Sequence, residues 1–277
     1  MAISSVYFFA ELIGGFLTNS LALVSDAGHM LSDIAALALS LFAFRIARRP
    51  ATLSSTYGFH RIEILAALFN GLALWLIVGI IFAAAYNRFF NPPEVASYGM
   101  MVIAIVGLAV NVLAGVILYG SHHHNLNLRG AFLHVVSDAL GSVGAIAAGL
   151  IMLLTGWYVA DPLISILIGL LILYSSWSLV KESLSVLMQS VPKGIRLDEV
   201  RQTIEEVEGV SAVHDLHVWA VTSDIFTLSA HAVVENGGDF HEVLNCIEET
   251  LKERFNIEHT TIQLEIESRE EKEFKPF

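Results

Sequence analysis

The chain has 277 residues, 55% of them hydrophobic, with a mean hydropathy of +0.65. Soluble globular domains hold about 45–50% apolar residues, so this composition excludes an ordinary soluble domain and indicates a membrane protein. Charge divides the chain: seven basic and eight acidic residues precede Lys193, whereas eight basic and nineteen acidic residues follow from there on. A nearly neutral apolar part thus precedes an acidic one, which argues against a nucleic-acid partner and fits a water-exposed domain that attracts cations.

A membrane-crossing helix needs about 20 mostly apolar residues, and six such segments are predicted. The first covers residues 2–18 and is short; it contains Glu11. It has no basic leader or small-residue cleavage site, so no cleavable signal peptide is expected. The chain enters this segment almost at once, which leaves room for an N-terminal tail ahead of it. Thr18-Asn19-Ser20 separates it from the second, residues 21–46, which Arg45, Arg48, Arg49 and Pro50 end. The third runs over 60–88 and the fourth over 97–121, broken apart by Asn91-Pro92-Pro93. The fifth runs over 127–155 and is closed by Thr155-Gly156-Trp157. Asp161-Pro162 opens the sixth, with Asp as cap and Pro in the first turn, and this helix ends near Leu187.

Basic residues set the expected orientation. Arg45, Arg48, Arg49, Arg61, Arg129, Lys181 and Lys193 flank one side and Arg88 the other. The positive-inside rule then puts both termini in the cytoplasm.

Two of these segments carry matched ionisable pairs, His29 with Asp33 and His134 with Asp138. A spacing of four residues puts both side chains on one helix face, one turn apart. Two such helices face to face offer two imidazoles and two carboxylates, a complete set for a zinc-type divalent ion. A single pair could be a packing contact between helices. Two matching pairs at membrane depth mark an ion path. Gly141, Ser142, Gly144, Ala145, Ala147, Ala148 and Gly149 follow Asp138 and permit the close helix approach that a shared site requires. Asp26 lies one turn from His29 and either guides the ion or caps the helix. Asn70 and Asn111 are expected to make hydrogen bonds between helices.

The acidic part reads as α-β-β-α-β: a helix from Asp198 to Val207, strands Val213–Val221 and Ile225–Glu235, a helix capped by Asp239 and running to Phe255, and a strand Thr260–Glu267. This order gives a small ferredoxin-like sandwich, with a charged end over residues 268–277. Cys246 is the one cysteine; it excludes a disulfide within the chain and a cysteine-based zinc cluster, and a place in the core of its amphipathic helix is expected. The fold class is therefore a membrane all-α six-helix transmembrane domain (1–190) followed by a cytoplasmic α+β ferredoxin-like domain (191–277).

The chain resembles the cation diffusion facilitator family of zinc transporters. The resemblance rests on the run from Asn19 through Asp26-Ala-Gly-His29-Met-Leu-Ser-Asp33, on Tyr57-Gly-Phe-His60-Arg61-Ile-Glu63, on His134-Val-Val-Ser-Asp138, on Asp161-Pro162-Leu-Ile-Ser, and on His214-Asp-Leu-His217-Val-Trp219. It implies a homodimer in the lipid bilayer that exports zinc from the cytoplasm in exchange for protons, by alternating access. It also implies a cytoplasmic domain that binds zinc and holds the dimer together. By resemblance the transport site falls on His29, Asp33, His134 and Asp138, the set that the spacing gives. The His form of the site suggests zinc over cadmium, although cobalt and nickel suit the same donors.

The same resemblance makes His214, His231 and Glu265 the candidate cytoplasmic zinc ligands. Strand alternation partly disagrees, because it groups His217 and Trp219 with His231 and Glu265 and turns His214 to the other face. His214 is kept first and His217 second, and His241 and His259 are possible additional ligands. His122, His123 and His124 are either a weak zinc-capture loop or a solvated one. Glu63 is expected to pair with a basic residue rather than capture zinc, and His60 to face the cytoplasm. The rival class is a metal-binding membrane receptor or assembly protein without transport. No HExxH and no nucleophile motif supports an enzyme. Short loops suit a bacterial inner membrane.

Overall fold

The computed structural model describes residues 2–119, 126–235 and 239–266. Six long helices come first: α1 (Ala2–Thr18), α2 (Leu21–Ala47), α3 (Arg61–Phe90), α4 (Ser97–Tyr119), α5 (Leu126–Thr155) and α6 (Ala160–Leu187). Then follow α7 (Leu197–Glu205), β1 (Val210–Thr222), β2 (Ile225–Val234), α8 (Phe240–Phe255) and β3 (Ile257–Glu265). Two compact units result. The first joins residues 1–39 to 69–180, and the second joins 40–68 to 181–277.

The first unit is built inside out relative to a soluble protein. Its surface carries Phe16, Leu76, Tyr86, Val116, Leu154 and Tyr174, all largely exposed, while Glu11, Asp26, Ser142, Asp161 and Ser165 are buried. Five of its helices are long and apolar enough to cross a membrane, and the apolar core of α1, Val6–Thr18, is shorter. The interior packs Leu23 of α2 with Leu74 and Val78 of α3, Met100 of α4, Met152 of α5 and Ile168 and Ile172 of α6.

Local chemistry fixes the turns. Asn19 takes the left-handed conformation (φ 57°) that ends α1, and Ser20 N–H bonds back to the Gly15 carbonyl at 3.0 Å. At Gly149 of α5 an added Cβ would strike Met101 of α4, and at Gly169 of α6 it would lie 2.6 Å from the Phe82 ring of α3. These two close approaches need glycine. Trp75 of α3 and Trp177 of α6 stack with centroids 5.5 Å apart and planes 13° from parallel, and Trp75 Nε1 donates to Ser176 Oγ at 3.1 Å.

In the second unit the sheet has order β1-β2-β3. β1 runs antiparallel to β2, and β2 parallel to β3 across the α8 crossover. Val200 and Ile204 of α7 and Val243, Ile247 and Leu251 of α8 pack on Val213, Val218, Leu228, Ala230 and Ala232 of the sheet. Asp239 caps α8 by accepting from His241 N–H at 2.9 Å, as its position predicts. β1 and β3 each start three residues before the expected first residue. Cys246 departs from expectation. The core stripe of α8 follows the i, i+4 row Val243-Ile247-Leu251, so Cys246 falls beside it and is exposed.

Candidate metal centre

The periodicity of α2 and α5 turns their ionisable pairs toward each other. His29 Nε2 lies 3.7 Å from Asp33 Oδ2 and 3.7 Å from Asp138 Oδ1. His134 Nε2 lies 3.2 Å from Asp33 Oδ2 and 3.6 Å from Asp138 Oδ2. The two imidazoles meet edge to face, with centroids 5.5 Å apart. Zinc–donor bonds of about 2.0–2.1 Å in a tetrahedron put neighbouring donors roughly 3.3–3.4 Å apart. The observed separations bracket that edge. Asp138 turns one oxygen to each imidazole, so a small rotation would choose which oxygen a cation takes.

The surroundings strengthen the electrostatic argument. A cavity of about 510 Å³ opens on Asp26, His29, His134 and Asp138, with Gly141 and Tyr174 among its walls. Between residues 1–39 and 69–180 the only basic residues are Arg88 and Arg129, and Arg88 is committed to Asp161 at 3.4 Å. Asp33 and Asp138 therefore meet imidazoles rather than a guanidinium or ammonium in the contacts described. Paired carboxylates at membrane depth without a permanent counterion call for a mobile cation. His29 Nδ1 is buried and has no hydrogen-bond partner among the described residues.

Sequence reasoning missed one neighbour. Tyr7 Oη donates to Glu11 Oε1 at 2.5 Å, and both side chains are buried in α1. The signal was the four-residue spacing of Tyr7 and Glu11, the same spacing that marks the His/Asp pairs.

A second group of donors lies in the second unit. His214 on β1 pairs directly with His231 on β2, with ring centroids 5.1 Å apart. His214 Nε2 is 3.4 Å from Glu265 Oε2, and His231 Nδ1 is 3.1 Å from Glu265 Oε1. The latter pair is close, yet off the line of a hydrogen bond, for His231 Nδ1 has no hydrogen-bond partner among the described residues. Glu265 Oε1 accepts from Gln263 Nε2 at 2.6 Å, and Glu265 Oε2 has no hydrogen-bond partner among the described residues. A β-bulge resolves the conflict with strand alternation. The register slips between His214 and His217, and Asp215 sits there at φ 47°. One extra residue reverses the facing of everything before it, so His214 joins His231 and Glu265. Failed alternation across His214-Asp215-Leu216-His217 was the available signal for this bulge.

The remaining candidates lie apart from these groups. His217 is exposed and bonds Asp215 Oδ1 at 2.8 Å. His241 is exposed at the start of α8, and His259 is exposed on β3, where its ring meets Tyr57 at 5.7 Å within the second unit. Glu63, also in that unit, accepts from Thr222 Oγ1 at 3.3 Å, and among the described residues no basic side chain pairs with it. Asn70 makes the expected bond between helices, accepting from Ser32 Oγ at 3.1 Å. His122, His123 and His124 lie outside the described residues.

Comparison with known proteins agrees with this organisation. The family profile described as the cation efflux transmembrane domain matches residues 1–188, and that described as the cation efflux protein, cytoplasmic domain, matches residues 192–267. The chain is 48% identical to the "Cadmium, cobalt and zinc/H(+)-K(+) antiporter" of Bacillus subtilis, over 95% of this chain and 86% of that one. It is 43% identical to the "Zinc transporter ZitB" of Escherichia coli, over 95% of this chain and 84% of that one. A solved structure, the metal-bound C-terminal domain of the CzcD transporter from Cupriavidus metallidurans, is 39% identical and covers 26% of this chain and 99% of its own, with a TM-score of 0.25. With six apolar helices, two donor groups and a profile match across most of its length, the chain belongs to the cation efflux family.

Proposed function

We infer that the chain exports zinc, and related divalent transition-metal ions, from the cytoplasm in exchange for protons. One observation carries this reading: His29, Asp33 and His134 on α2 and α5 offer donor atoms within 4.8 Å of one another, and Asp138 turns one oxygen to each imidazole. Zinc is the cargo there. It needs neutral imidazole and ionised carboxylate, so protons and zinc compete for the same atoms. The ring nitrogens of His29 and His134 can hold either a proton or the metal, which makes these two residues the proposed proton carriers. With the site open to the cytoplasm, zinc displaces protons. With it open to the other side, protons displace zinc. No separate proton channel is needed.

His214, His231 and Glu265 are the proposed resident zinc site. Their donor chemistry and the unpartnered His231 and Glu265 atoms fit an ion. Bound there, zinc would join all three strands. The proposed division is residues 1–190 as the transport domain and 191–277 as the cytoplasmic domain. The chain acts as a homodimer, with both termini in the cytoplasm, in a bacterial inner membrane.

The test is zinc flux into proteoliposomes, with and without a proton gradient, for the native chain and Asp138→Ala. Gradient-dependent flux that is lost in the variant is expected. Equal flux in both would move the ion path elsewhere, and flux indifferent to the gradient would remove proton exchange.

A further inference from the structure

One densely partnered carboxylate of the first unit is not at the metal centre. Asp161 is fully buried. By position it reads as the cap of its own helix α6, but it lies one residue inside α6 and serves another helix. Its Oδ2 accepts from Leu21 N–H at 2.7 Å and its Oδ1 from Ala22 N–H at 3.1 Å. Ser20 Oγ also donates to Oδ1, at 2.7 Å, and takes Leu23 N–H in turn at 3.3 Å. Thus the free amides of the first turn of α2 are satisfied largely by a residue 140 positions away. Arg88, near the end of α3, closes the node. It reaches Asp161 Oδ2 at 3.4 Å, the Asn19 carbonyl at 2.6 Å and Asn19 Oδ1 at 3.0 Å.

We propose that Asp161 is a positioning residue for transport: it sets the height and rotation of α2, and through them the facing of His29 and Asp33 toward His134 and Asp138. This rests on the transport reading given above. What the anchor fixes is register. In a bilayer, apolar helices gain nothing from hiding apolar surface from each other, so sliding and rotation are weakly opposed except where polar groups or close packing fix them. His29 and Asp33 lie about 12 and 18 Å along α2 from Leu21, at 1.5 Å per residue. A rotation of 20° at the helix start moves a donor atom about 6 Å from the axis by roughly 2 Å, more than the spread of donor separations a tetrahedral site accepts. The anchor binds α2 to α6 directly and to α3 through Arg88, and it uses no metal ligand.

Asp161→Asn is nearly isosteric but cannot accept from Leu21, Ala22, Ser20 and Arg88 together, because its amide NH₂ faces donors. The full chain is used, in a His231→Ala background that removes one of the other donors. Three quantities are read: amide exchange at Leu21 and Ala22, the visible absorption of bound cobalt(II), and KM and kcat for zinc uptake in proteoliposomes. The variant is expected to exchange these amides at least tenfold faster, to lose tetrahedral cobalt intensity, and to raise the KM for zinc at least tenfold. Asp161→Glu, which keeps the charge but is one methylene longer, should fold and show an intermediate rise in KM. Faster exchange with the parent cobalt spectrum and KM would reduce Asp161 to a helix cap and overturn the proposal. So would parent exchange rates, or, should Asp161→Asn not fold, an Asp161→Glu chain with the parent KM and spectrum. If the parent itself neither binds cobalt nor moves zinc, the transport reading fails, and the anchor stands or falls on the exchange at Leu21 and Ala22.

Discussion

Replacing Asp138 by Asn changes the charge of the proposed transport site while keeping its shape. With both carboxylates ionised and both imidazoles neutral, a bound dication brings the four-donor group to zero net charge. In Asp138→Asn the bound group carries +1 inside the helix bundle. Asp138 has an oxygen within 3.7 Å of His29 and another within 3.6 Å of His134, so any ion shared by these donors sits against it. A unit charge pair at about 4 Å with an effective dielectric near 20 is worth about 4 kcal/mol. Part of this is offset, because the empty parent site holds a desolvated carboxylate that the variant lacks. A net loss of about 2–3 kcal/mol is expected, roughly 30- to 150-fold in zinc affinity. Competition with a chromophoric chelator measures it on the full chain in a His231→Ala background, and proteoliposome uptake should fall in parallel. An Asp138→Asn chain that binds and moves zinc within threefold of the parent would refute the four-donor argument.

Other perturbations separate the remaining parts of the argument. Glu265→Gln should lower the number of zinc ions bound per chain by one and abolish the zinc-induced rise in melting temperature of the C-terminal domain, while uptake at saturating zinc persists; equilibrium dialysis and calorimetry check it. Gly169→Leu should sharply lower the yield of folded protein in detergent, since even a Cβ would lie 2.6 Å from the Phe82 ring, and Phe82→Ala should partly restore it. Leu251→Ala, at a fully buried position of α8, should destabilise the C-terminal domain by about 2–5 kcal/mol in denaturant titration. Asp198 is held below the usual carboxylate range by its hydrogen bonds from Arg196. A depressed carboxyl stabilises the fold above its unfolded titration point and loses that effect as pH falls through its folded one. Asp198→Asn should therefore lower the melting temperature slightly at pH 7 and leave it unchanged once both states are protonated in strong acid.

The transport-site candidates were legible because chemistry and periodicity coincide there. Charge is costly in an apolar helix, and a spacing of four names the face. The helices were legible for the same reason, since Asn19, Asn91-Pro92-Pro93 and Gly156 interrupt long apolar runs. The donors of the second unit were harder. Strand alternation assumes a regular ladder, and Asp215 at a positive φ breaks it, so period-two reasoning put His214 on the opposite face. Asp161 shows a different limit. Next to Pro162 it has the local signature of a cap, but nothing in a linear sequence says which helix a carboxylate caps. Cys246 failed by helical phase alone, one position off the Val243-Ile247-Leu251 row.

The stacked pair Trp75 and Trp177 gives the membrane part an optical consequence. Two of the four tryptophans of the chain lie 5.5 Å apart and nearly parallel, close enough for their excited states to mix. Their coupled near-ultraviolet dichroism depends on the separation and angle of α3 and α6, and only weakly on where α2 and α5 stand. Unlabelled protein thus carries its own protractor. A signal that holds steady through a transport cycle would mark α3 and α6 as the frame, and one that oscillates with zinc and acid would count them among the moving parts.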